Sequence, residues 1–120
     1  MKIVCICAPF DESTEQNMLM AKHYLRYALN LNVVPLIPYW YEDALKAVTQ
    51  KEIQKRENIP TNLLYFCNEL WVFGNRLTST MKNMIQSCET SGKTVVWISD
   101  KRLTNPLKRL EKMPYVKDEK

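Results

Sequence analysis

Two short apolar runs, Ile3-Val-Cys-Ile-Cys-Ala8 and Leu70-Trp-Val-Phe73, carry no polar alternation and stop abruptly, at Pro9 and Gly74. A strand that is apolar at every position is covered on both faces. Strands of that kind belong to parallel sheets, and parallel neighbours need long crossovers, usually helical. The chain supplies them. Ser13 or Thr14 can cap a helix running to about Asn30, with Met18, Ala21, Leu25 and Ala28 as its apolar stripe and Lys22, Arg26 and Asn30 on a polar side. Asn32 closes it, and Val33 to Ile37 reads as a second strand, where Pro35 implies a strand start or an edge position.

Pro38-Tyr39-Trp40-Tyr41 reads as an aromatic loop, residues 43–57 as a polar helical segment, and Thr61 to Cys67 as a short helix with Pro60 in its first turn. After the strand ending at Gly74, Thr78, Ser79 or Thr80 can cap a helix whose inner stripe is Met81, Met84, Ile85 and Cys88, with Gly92 as its stop. Thr94 to Ser99 reads as a fourth strand, and residues 103–112 as a last amphipathic helix through Leu103, Leu107 and Leu110. This order predicts an α/β fold: a Rossmann-like three-layer sandwich with a mainly parallel sheet of four or five strands. The domain is expected over residues 1–100, with a C-terminal helix and basic tail over 101–120.

Composition bounds the function. With 120 residues and 46% hydrophobic content, one folded domain is expected. The net charge of +4 owes much to the tail (Lys101, Arg102, Lys108, Arg109, Lys112, Lys117, Lys120), which is either solvated or phosphate-contacting. No apolar run approaches the length of a membrane span, and the start is too short for a signal peptide, so no membrane partner and a cytoplasmic location are expected. Cys5, Cys7, Cys67 and Cys88 should then be thiols acting as small hydrophobes. They lack Cys-x-x-Cys spacing, so no metal is expected. No cofactor is expected either: Walker and G-x-G-x-x-G motifs are absent. His23, the single histidine, sits mid-helix with no triad partner.

In an open parallel sheet, ligands bind at the carboxyl ends of the strands. Three loops should gather there: Pro9–Ser13, Pro38–Glu42 and Gly74–Thr80. Gly74 permits close backbone approach, Arg76 offers a planar donor fork, and Thr78, Ser79 and Thr80 lead into a helix N-terminus that attracts anions. An ordinary capped turn with a surface arginine fits the same residues. Phe10, Tyr39, Trp40 and Tyr41 could stack a base, or simply cover the sheet rim or a subunit contact.

Ile3-Val-Cys-Ile-Cys-Ala-Pro-Phe10, Asn17, Val33-Val-Pro-Leu-Ile-Pro38, Cys67-Asn-Glu-Leu-Trp-Val-Phe-Gly-Asn-Arg76 and Lys93-Thr-Val-Val-Trp97 are together similar to nucleoside 2-deoxyribosyltransferase-like proteins. The likeness is to the small phage and mobile-element branch and covers about residues 2–99. It implies cleavage or transfer at an N-glycosidic bond, with a glutamate early in the helix after strand three attacking the anomeric carbon. Here that position is Met84, which has no nucleophilic oxygen; Thr80 stands for a glycine and Asn75 for an aspartate. The expectation is therefore a nucleoside- or nucleotide-binding protein without catalysis, with Pro9, Phe10, Asp11, Tyr39, Trp40, Gly74, Asn75, Arg76, Ser79 and Met84 as its ligand-binding residues. The alternatives are an active N-glycosidase using another acid (Asp11, Glu12, Glu42, Asp43 or Glu57) and a phage- or plasmid-borne inhibitor of a host protein. The resemblance also implies a homo-oligomer; nucleic acid is not an expected partner.

Overall fold

The computed structural model describes residues 1–44, 51 and 60–98. Most of the polar segment 43–57, the helix expected at 103–112 and the tail lie outside the described residues. Among the described residues, four strands form one sheet: β1 (Ile3–Cys7), β2 (Val34–Leu36), β3 (Glu69–Val72) and β4 (Thr94–Trp97). Their order is β2-β1-β3-β4 and every pairing is parallel, with Val4 opposite Glu69, Ile3 opposite Val34 and Glu69 opposite Thr94. The helices are α1 (Thr14–Asn30), α2 (Pro38–Ala44), the helical segment 60–64 (α3) and α4 (Ser79–Thr90). Among the described residues, no helix is long and apolar enough to cross a membrane.

β1 and β3 are the inner strands, and their successive side chains point to opposite faces. Val4 and Ile6 join Trp71 and Phe73 against α1; Cys5 and Cys7 join Leu70 and Val72 against α4. These positions are at most 7% exposed, and each fully buried large side chain stabilises the fold by roughly 1.5–3 kcal/mol. Among the described residues β2 is an edge strand, which suits Pro35: its missing N–H is needed by no further described strand.

The caps follow from sequence. Ser13 accepts a hydrogen bond from the Gln16 amide at the start of α1, and Asn32 takes the left-handed conformation (φ 61°) just past its end. Thr78 caps α4: its hydroxyl accepts from the Met81 amide at 3.2 Å, while the Thr78 amide donates to the Met81 sulfur at 3.5 Å. A thioether thus fills the place glutamate takes in a capping box.

Three expectations need correction. The α1 core seam runs through Asn17, Ala21, Tyr24 and Ala28, with Met18 and Leu25 at its margins, because Tyr24 stacks on Phe73 (centroids 4.3 Å apart) and turns the helix toward it. Arg26, assigned to the polar side, is 9% exposed, consistent with a long stem that lies along apolar surface. Pro38 to Tyr41 is the first turn of α2 rather than a loop, since proline's fixed φ suits the opening of a helix. That turn buries Tyr39 and leaves Tyr41 exposed.

Candidate functional site

After β1 the chain crosses to one face of the sheet, and after β3 to the other, so the β1 and β3 loops diverge at a switch point. Open α/β sheets place their ligand crevice at such a point. Pro9 and Gly74 bring the two loops together. Gly74 has φ +95°, and a β-carbon there would lie 2.7 Å from Cδ of Pro9. Only glycine permits both this conformation and this approach.

Arg76 ties the loops from outside. Its guanidinium donates to carboxylate oxygens of both Asp11 and Glu12, and these charges hold the arginine above its ordinary pKa, Asp11 contributing most. The three side chains are 49%, 44% and 55% exposed, so water screens the clasp and an anionic ligand could compete for the arginine.

Beneath it, Asn17 organises the β1 loop. Its side chain is buried; Oδ1 accepts from the Glu12 amide at 3.0 Å, and Nδ2 donates to the Glu12 carbonyl at 3.0 Å and to Oη of Tyr39 at 3.3 Å. Tyr39 in turn stacks on Phe10, with centroids 4.7 Å apart and planes 25° apart. One buried amide therefore fixes loop, tyrosine and phenylalanine as a unit.

Two cavities flank this unit. One, of about 160 Å³, lies on the α4 side and is lined by Phe10, Asp11 and Tyr39 together with Thr78, Thr80, Met81 and Met84. The other, of about 310 Å³, lies on the α1 side, where Pro9, Phe10, Gly74, Asn75 and Arg76 meet Gln16, Met20 and Tyr24. Phe10 and Ala8 belong to both. Of the ten residues expected to bind ligand, eight thus line one cavity or the other. Trp40 lines neither and packs at the margin of the α1-side core; Ser79 is an exposed residue in the first turn of α4.

Met84 is 4% exposed and belongs at once to the α4-side core and to the cavity wall. No carboxylate stands at that point. Among the described residues, Asp11 is the acid that lines this cavity, and it is engaged by Arg76. Sequence reasoning passed over Asn17 and Gln16 as site residues. The signal for Asn17 was its spacing, four residues before Ala21 and seven before Tyr24, which sets a polar side chain on the buried seam.

All four cysteines are free, buried and packed in the α4-side core. The Cys5 thiol is raised, first by donating to Cys67 and then by burial; Cys67 is correspondingly lowered, with help from the nearby Lys93 ammonium. Burial pushes Cys7 up to about 12 and raises Cys88. Among the described residues, no group of three or more His, Cys, Asp or Glu is placed to hold a metal ion.

The fold and the crevice define a parallel α/β domain with a switch-point cleft walled by aromatic rings and a thioether. The chain belongs to the family described as "Domain of unknown function (DUF7768)", whose model matches residues 2–98. No curated protein matches the sequence.

Proposed function

We propose that this chain binds a nucleoside or nucleotide in the switch-point cleft and does not cleave it. The observation that carries the reading is Met84: the position that the deoxyribosyltransferase resemblance assigns to the nucleophile is an apolar side chain in the cavity wall. Around it are the parts of a nucleoside site that do not depend on a nucleophile. The Phe10–Tyr39 stack offers an aromatic surface, Thr78 and Thr80 supply hydroxyls, and Arg76 offers a guanidinium that an anion can recruit.

The main alternative, an active glycosidase using another acid, gains least from Asp11 and Glu12. Both contact the same guanidinium nitrogen, so the clasp holds them away from a sugar in the cleft. Buried free thiols fit a reducing, cytoplasmic setting, and the resemblance carries a homo-oligomer, which sedimentation would test.

Calorimetry against nucleosides, nucleoside mono- and diphosphates and signalling nucleotides tests the binding. Chromatography for free base after long incubation with deoxynucleosides tests the chemistry. The expected result is saturable heat with at least one ligand and no released base. No binding to any of them at millimolar concentration refutes the first half, and base release above a buffer control refutes the second.

A further inference from the structure

Resting on that reading, we infer that the α1-side cavity is the seat of the ligand's planar nitrogen heterocycle, and that Gln16 and Asn75 read its edge. This sets the base on the opposite side of Phe10 from Met84.

Size favours it. Pockets for small organic ligands begin near ~300 Å³. The α1-side cavity, at about 310 Å³, meets that measure and the α4-side cavity, at about 160 Å³, does not. The lining is also of the right kind. Phe10 and Tyr24 meet at 6.2 Å with planes 65° apart, giving an aromatic floor and wall, and Met20 adds a polarisable sulfur that packs well on a flat ring.

The rim supplies the recognition. Gln16 and Asn75 come from different elements, the first turn of α1 and the turn after Gly74, and line the same cavity. Neither side-chain amide is hydrogen-bonded to another described residue; the Gln16 contact to Ser13 uses its backbone amide. Each therefore presents a donor beside an acceptor, the pattern that pairs with adjacent ring nitrogen and exocyclic groups of a base. Asn17, by contrast, spends its amide on Glu12 and Tyr39, so it holds the wall in place. Arg76 lines this cavity while its clasp with Asp11 reaches the other, so a sugar or phosphate extending past Phe10 toward α4 would pass beneath the guanidinium.

Methionine methyls mark the two sides: Met20 lines the α1-side cavity, and Met81 and Met84 line the α4-side one. The test uses the full chain with ¹³C-methyl methionine, assigned by Met20→Leu, titrated with AMP, GMP, CMP and dTMP in turn. A nucleotide that binds should shift the Met20 methyl by ring current more than Met81 or Met84, and Gln16→Ala should weaken it about tenfold, the loss of one base-edge pair. Shifts at Met81 and Met84 with Met20 unmoved, or unaltered affinity in Gln16→Ala, overturn this placement and leave nucleotide binding standing. No shift at any methyl and no heat overturn both.

Discussion

Replacing Met84 by glutamate puts a carboxyl where the resemblance expects one, and the structure says what that costs. Residue 84 is 4% exposed and packs in the core cluster with Met81, Ile85 and Cys88. Even neutral, the carboxyl gives up thioether packing and loses water, a cost of about 1–2 kcal/mol. Ionised, it costs more, so burial raises its folded-state pKa above the unfolded value near ~4.3. A group raised on folding contributes fully below its unfolded pKa, and that contribution is lost as pH climbs through the folded value. The variant's deficit should therefore be smallest near pH 4 and grow by about 1.4 kcal/mol per pH unit above that. A rise of about two units adds about 2.7 kcal/mol, giving a plateau near 4 kcal/mol at neutral pH. Paired urea denaturations of wild type and M84E from pH 4 to 8 measure this, since the background titration cancels in the difference. A deficit that is flat with pH and below about 1 kcal/mol would mean that residue 84 meets water. The picture of an apolar wall at the position that the resemblance assigns to a nucleophile would then be wrong.

Other perturbations separate the devices that hold the cleft. Gly74→Ala meets both a positive φ and the Pro9 ring, whereas Gly92→Ala meets the positive φ alone with open space around it; chemical denaturation should show at least about 2 kcal/mol lost for the first and about 1 for the second. Lys93 donates to the carbonyls of Leu64, Tyr65 and Cys67 at 2.7–2.8 Å, satisfying the end of α3, so Lys93→Met should cost about 2 kcal/mol in the same assay. The Lys2 ammonium, and then the Trp71 indole, hold the Glu69 carboxyl below its ordinary range. Its contribution is present above the unfolded pKa and lost as pH falls through the folded one. Because Lys2 is 60% exposed, Glu69→Gln should cost only about 1 kcal/mol at pH 6, a difference that shrinks in thermal melts as pH falls below the ordinary carboxylate range.

Periodicity made the sheet and its helices legible. β1 and β3 were readable because full apolarity leaves parallel strands as the natural solution, and α4 because Met81, Met84, Ile85 and Cys88 repeat at helical spacing with nothing competing. The α1 seam was off by one position because Met18 and Leu25 scan as well as Asn17 and Tyr24; only the Tyr24–Phe73 stack decides between them, and that contact spans 49 residues of chain. The aromatic segment was misread for a local reason: proline and three rings look like a loop, yet the same proline opens a helix. The loops alone place Phe10, Asp11, Gly74 and Arg76 at the rim of the sheet, where the cavities lie. The division into two cavities was hidden, since it depends on which way the Phe10 ring faces, a tertiary fact set by Asn17 and Tyr39.

The cleft and the residue that the resemblance assigns to a nucleophile are held by different atoms, which bears on how the proposed site could bind without chemistry. Phe10, Tyr39, Arg76 and the Pro9–Gly74 contact are fixed by Asn17, by backbone conformation and by the clasp to Asp11 and Glu12. None of those bonds involves residue 84. That residue sits on the inner stripe of α4, where its neighbours are sulfur and methylene groups. A carboxylate there is tolerable only with a partner that offsets its desolvation, whereas a methionine stabilises the same helix face by burial alone. Folding thus favours the thioether at position 84, and the binding proposed above would draw on other side chains. A methionine at position 84 and the proposed recognition surface are compatible in this architecture because they draw on separate interactions.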